Sequence, residues 1–234
     1  MNTVDQKTIT KAAMRYLIRS MIAPVFMGIL YFLSAGSLEN TRAWSYYTLF
    51  FIFSLGVSIV LFIKNRELLY HRASFKSDAV GWDKWLMPAA VLTGFHVQSI
   101  VMGLEARFVD PFTNNSSLII GFLLYIISYV ISTWAMLVNR HFETNVRIQK
   151  DRHHEVITSG PYRMIRHPGY LAFILATFGI PFIIGSHWGF FNATMGTVLI
   201  LIRTYKEDQT LQSELDGYKS YSQSVKWRIF PGIW

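Results

Sequence analysis

Two polar segments in the second half of the chain hold the residue types from which a reaction site can be built. The first runs from Asn139 to Pro168, NRHFETNVRIQKDRHHEVITSGPYRMIRHP, and carries four of the seven histidines and six Lys/Arg. Glu155-Val156-Ile157-Thr158 predicts a short extended piece, and Ser159-Gly160-Pro161-Tyr162 a turn. Pro168 suits the first position of a following helix, where its missing N–H costs nothing. Arg166 and His167 are thereby set at a helix start, whose free N–H groups and partial positive charge suit a carboxylate or another electron-rich group. The second segment begins at Arg203 and has no Gly or Pro before Gly217. It predicts one helix continuing from about Gly189 to Leu215, with Arg203 and Glu207 four residues apart on one face. That pair has two readings: an i,i+4 ion pair in the weaker order, worth a few tenths of a kcal/mol, or two members of a polar site.

Other polar residues are less informative. His153, His154 and Glu155 are adjacent, so their side chains point different ways, and no His-x-x-x-His spacing accompanies them; no metal site is predicted. His96 and Gln98 lie within an apolar stretch and are expected to hydrogen-bond between helices. Asn114-Asn115-Ser116 matches a glycosylation acceptor. The chain has no cysteine, which excludes disulfides, thiolate catalysis and cysteine metal sites.

The elements that position these segments are membrane helices. Of 234 residues, 52% are hydrophobic and only 15% charged, against roughly 25% charged in a soluble domain. Mean hydropathy is +0.29. A bilayer core about 30 Å thick needs roughly 20 apolar residues as helix. Trp44–Ile63, Trp85–Leu104 and Leu118–Val138 meet that length without Asp, Glu, Lys or Arg, and Ser20–Leu38 is a fourth such stretch, with Pro24 near its start. It lacks a cleavage site and reads as a retained first helix. Tyr170–Ile202 is too long for one span and broken by Gly179, Pro181, Gly185 and Gly189. A helical hairpin turning near Gly185–Gly189 is predicted.

The 22 Lys/Arg fall four, one, five, one, six, none and five in the successive segments between these spans. This alternation predicts cytoplasmic termini, with Lys76 and Lys150 also cytoplasmic and Asn114 and Ser186 on the other side. It also accounts for the net charge of +8 through topology and attraction to anionic membrane lipids. No nucleic-acid partner is expected, since no basic face or nucleic-acid motif is present.

With these residues in place, a resemblance is apparent. Thr158-Ser159-Gly160-Pro161-Tyr162-Arg163-Met164-Ile165-Arg166-His167-Pro168-Gly169-Tyr170, then Arg203-x-x-x-Glu207-Asp208, Gly217-Tyr218-x-x-Tyr221 and the terminal Arg-x-x-Pro-Gly-x-Trp resemble the isoprenylcysteine carboxyl methyltransferase family. That family belongs to a wider group of integral-membrane methyltransferases that includes phospholipid methyltransferases. The likeness covers about residues 135–234.

It implies an S-adenosylmethionine site, with S-adenosylhomocysteine as product. Carried over by position, the cofactor-binding residues are Gln149, the strand-like His154, Glu155, Val156 and Ile157, then Tyr162, His167, Pro168, Gly169, Tyr170 and Glu207. Arg203 takes the substrate-carboxylate role, with Glu207 beside it. The family commonly has Glu-Glu where this chain has Glu207-Asp208. The chemistry agrees: Glu207 can pair with the cofactor's positive charge, and Val156, Ile157 and Tyr170 can surround its adenosine.

The expected fold is therefore an all-α integral membrane protein of about six transmembrane helices, the last two a hairpin. Residues 1–138 form four spans. Residues 139–234 form the methyltransferase region, with hairpin 170–202 and a cytoplasmic cofactor site built from 139–169 and 203–234. The expected acceptor is lipophilic or lipidated, best an isoprenylcysteine-like carboxylate. Phospholipid amines and small thiols are alternatives, and a non-catalytic six-span transporter or sensor is the alternative outside enzymes. The oligomeric state is not legible.

Overall fold

The computed structural model describes residues 5–73 and 79–234; Lys76, one of the predicted cytoplasmic positions, lies outside them. Every regular element among the described residues is helical. Four helical stretches are long and apolar enough to cross a membrane: α1 (Gln6–Ala35), α2 (Thr41–Lys64), the continuous run Asp83–Phe108, and α6 (Asn115–Val138). The run Asp83–Phe108 is built from α4 (Asp83–Val91), a π-helical turn (Leu92–Val97) and α5 (Gln98–Phe108). A short α3 (Arg66–Ala73) follows α2. Then come α7 (Pro168–Ile184), α8 (Trp188–Glu214) and a short α9 (Tyr218–Ser224).

The first helix starts well before the predicted Ser20, and Pro24 lies inside it. Lys7, Lys11, Arg15 and Arg19 recur every four residues, and long basic side chains let a membrane helix run on into the headgroup layer. The absence of charge therefore marked where the helix is apolar, not where it begins. The predicted extended piece at 155–158 is neither helix nor strand, since no neighbouring strand offers it a ladder of hydrogen bonds. The turn after it is a 3₁₀ turn, Gly160–Arg163.

The predicted hairpin is present. Pro168 opens α7, and α7 ends at Gly185, whose φ of 87° is left-handed. A Cβ there would lie 2.3 Å from the Phe112 carbonyl oxygen, so the turn accepts only glycine. Helices α6 and α7 meet backbone to backbone: a Cβ on Gly121 would come within 2.8 Å of the Gly179 carbonyl oxygen. Gln98, wholly buried, ties the third span to both arms of the hairpin by donating to the Thr177 and Gly189 carbonyls at 2.9 and 3.0 Å. Tyr31, Tyr46, Tyr47, Tyr125, Ile180 and Ile183 form the main buried cluster between the spans.

The sparsely charged loops gather at one end of the bundle. Arg42 donates to the carbonyls of Phe112 and Asn114, and Phe112 N–H to the Gly185 carbonyl at 3.1 Å. The segments bearing most of the chemistry, 139–167 and 203–234, lie at the other end.

Candidate active site

Helix α8 continues past the apolar part of the hairpin and carries Arg203, Glu207 and Asp208 to the start of α7. Asp208 is fully buried and gathers the surrounding chain. It accepts from Arg166 Nη2 at 2.9 Å, Arg228 Nε at 3.0 Å, the Tyr218 hydroxyl at 2.9 Å and Gln212 Nε2 at 2.9 Å. His167 Nε2 lies 3.3 Å from it, the geometry in which the ring N–H donates to the carboxylate. Burial by itself would raise the Asp208 carboxyl, but His167, Arg166 and Tyr218 outweigh it and hold the group well below the usual range. Burial, reinforced by the Asp208 charge, pushes the Tyr218 hydroxyl well up. The backbone completes the clamp: Arg166 and His167 N–H donate to the carbonyls of Trp227 and Arg228 at 3.0 and 2.9 Å. The second carboxylate of the motif is thus a fastener of the loop and the C-terminal segment.

Glu207, one residue earlier, is differently placed. Its side chain is 20% exposed and its Oε2 accepts from the Tyr170 hydroxyl; its Oε1 has no hydrogen-bond partner among the described residues. The Tyr170 hydroxyl in turn accepts from Arg203 Nη1. The expected Arg203–Glu207 contact is therefore relayed through a phenol, with the Arg203 guanidinium 5.1 Å from the Tyr170 ring centre. His167 stacks on the same ring, with the centroids 5.5 Å apart.

The other wall is the loop between α6 and α7. Arg147 donates to Glu143 and Asp151 at 2.8 Å each, folding the loop on itself. Gln149, buried, donates to the His141 carbonyl at 2.8 Å, and its Oε1 faces His141 Nδ1 at 3.1 Å. The rings of His141 and His154 are 4.5 Å apart. Burial, then the charges of His141, Arg147 and Arg152, lower His154 to about 4, so it is neutral at pH 7. Gly169 has a packing reason: a Cβ there would meet the Phe142 ring at 2.6 Å.

One cavity of about 440 Å³ joins these walls. Gln149, His154, Glu155, Val156, Ile157, Tyr162, His167, Pro168, Gly169, Tyr170, Arg203 and Glu207 all line it. From this polar mouth it runs inward between the spans to Met27, Phe50, Phe95 and Tyr125. The sequence reading missed Asp83 and His141. His141 sits two residues beyond Asn139, whose Oδ1 accepts from the His141 N–H, with no motif around it. Asp83 lies just ahead of the uncharged stretch Trp85–Leu104 and is fully buried against Arg203. An acid within one turn of an apolar span was the available signal, since burying it demands a cation.

These residues fall inside or beside a recognisable sequence region. Residues 116–215 match the family model for phospholipid methyltransferases. That match takes in somewhat less than half of the chain. Over 61 residues the chain is 38% identical to a probable protein-S-isoprenylcysteine O-methyltransferase from Oryza sativa subsp. indica, and equally to one from subsp. japonica. That alignment takes in 26% of this chain and 32% of each relative, so the chain spans about a third of the length of the curated relatives it matches. The resemblance seen in the motifs is borne out at the level of the superfamily.

Proposed function

We propose that this chain is a membrane-embedded, S-adenosylmethionine-dependent methyltransferase that acts on the carboxylate of an isoprenylcysteine-like acceptor. The observation that carries it is Glu207, whose uncommitted carboxylate oxygen borders a cavity that is polar at its mouth and apolar among the spans. The donor set suits the cofactor. Glu207 supplies negative charge for a sulfonium or ammonium, the neutral His154 adds no opposing charge, and Val156, Ile157 and Tyr162 offer apolar and aromatic surface for a nucleoside. When bound, the cofactor supplies an activated methyl group, and its sulfur keeps the bonding electron pair as the methyl leaves.

The chain's own work is placement and exclusion of water. Asp208 holds His167 and the α7 start against α8, fixing Tyr170 between Arg203 and Glu207. Arg203 offers the acceptor a cationic N–H. The inner arm of the cavity receives the lipophilic portion. A carboxylate is already ionised at pH 7, so no base is required. The phospholipid methyltransferase match favours a second acceptor class, an amine headgroup, whose proton the free oxygen of Glu207 would accept.

Purified protein titrated with S-adenosylhomocysteine in a calorimeter should bind it with a micromolar Kd, about −8 kcal/mol. Glu207→Ala or His167→Ala should each weaken binding at least about tenfold, a loss of ~1.4 kcal/mol. Intact folded protein that binds neither S-adenosylhomocysteine nor S-adenosylmethionine would end the methyltransferase reading.

A further inference from the structure

We propose that Asp83 is a positioning residue of this site, which turns Arg203 so that an acceptor carboxylate is held by one oxygen and attacks with the other. The inference rests on the carboxylate reading above. Asp83 belongs to the first turn of α4, outside the matched residues 116–215. Its Oδ1 accepts from Arg203 Nε at 2.6 Å, and its Oδ2 from Arg203 Nη2 at 2.9 Å and from the Val146 N–H at 2.7 Å. Arg203 Nη2 also donates to the Thr144 carbonyl at 2.8 Å, and Nη1 donates to the Tyr170 hydroxyl.

A guanidinium has five N–H donors in a rigid planar fork. Four of them are committed among the described residues. The fifth, on Nη1, is left beside Tyr170, where both residues line the cavity. The Nε–Nη2 edge, which would grip a carboxylate at two points, is closed by Asp83.

The reaction explains why that matters. The new O–CH₃ bond forms at one acceptor oxygen, the S–CH₃ bond breaks with its electron pair left on the donor sulfur, and no proton moves. A two-point grip engages both acceptor oxygens before the reaction and weakens both as nucleophiles. It stabilises the bound substrate more than the transition state, which lowers KM and kcat together. A single N–H orients the carboxylate and leaves one oxygen to react. Asp83 also compensates a guanidinium that would otherwise be a buried lone charge.

Asp83→Asn keeps the side-chain volume but removes the charge that draws in Arg203, opening the fork. With N-acetyl-S-farnesylcysteine as acceptor, KM should fall roughly threefold or more while kcat falls at least about 30-fold, the pattern of a ground state bound too well. S-adenosylhomocysteine affinity should stay within about threefold. Unchanged kcat and KM overturn the inference, and so does a loss of kcat with KM raised, the pattern of a residue that only maintains the fold. If Asp83→Asn does not bind S-adenosylhomocysteine, the pair Asp83→Asn with Arg203→Gln removes both buried charges and decides instead. It should regain S-adenosylhomocysteine binding but turn over slowly with a raised acceptor KM. Wild-type turnover by that pair, or continued failure to bind, overturns the inference. A wild-type protein that binds S-adenosylhomocysteine yet never methylates this acceptor rejects the carboxylate reading itself, a result distinct from any outcome in the variants.

Discussion

His154 illustrates how a single residue is set by its surroundings. It lines the cavity mouth against His141, and burial together with His141, Arg147 and Arg152 lowers it to about 4 from 6.5. A histidine held neutral in the fold binds its proton more readily in the unfolded chain. Its contribution to stability is therefore full above about pH 6.5 and is lost as pH falls from there toward 4. The thermal midpoint should drop across that window, and His154→Gln should flatten the drop. A variant with the same acid slope as wild type would remove His154 as its source. Asp208 works in a different window. Its carboxyl is already held below the ordinary carboxylate range by His167 and Arg166 despite burial, so its share of stability is lost only in stronger acid.

At the scale of the element, the hairpin depends on partners outside itself. Glu105, near the end of α5, accepts from the backbone N–H groups of His187 and Trp188 at 2.9 and 3.0 Å and from the Ser186 hydroxyl. It thereby supplies the start of α8 with acceptors that no residue of α8 provides, and a carboxylate is favoured at that end of a helix. Glu105→Ala should cost about 1–3 kcal/mol by leaving those donors without an acceptor. Glu105→Gln should cost less, because its amide oxygen still accepts. Thermal unfolding of the two variants in detergent checks this, and an Ala variant as stable as wild type would show that solvent caps α8 equally well. S-adenosylhomocysteine binding should be nearly unchanged in both, since the cavity mouth is at the opposite end of the hairpin.

For the whole molecule, the loops divide between two ends in the way the charges suggested. The segments with one Lys/Arg or none meet around Arg42, Phe112 and Gly185. Three of the basic segments meet at the other end, where Arg166 donates to Asp208 and Arg152 to Glu67. We propose that the second end is cytoplasmic, following the excess of basic residues there. Because the chain contains no cysteine, single cysteines report orientation cleanly. A membrane-impermeant thiol reagent should label Asn114→Cys in intact cells and Lys150→Cys only after permeabilisation. The reverse pattern would invert the orientation.

Much of this was determined by local composition. Spans are legible because lipid demands an unbroken run of apolar helix, and the hairpin because Gly185 permits a left-handed turn that other residues resist, while Pro168 fixes the backbone where α7 opens. The residues around the cavity could be named because a motif keeps them close together in the sequence. What only the tertiary structure decided was which charges meet. Arg203 and Glu207 are four residues apart yet communicate through Tyr170 from another helix. The partner of Arg203 is Asp83, 120 residues away. Adjacent carboxylates took opposite roles, with Glu207 facing the cavity and Asp208 fastening the C-terminal segment. Helical spacing fixes which residues share a face, but the partner of a buried charge is chosen by whichever helix packs against that face, and no local pattern in the sequence records that choice.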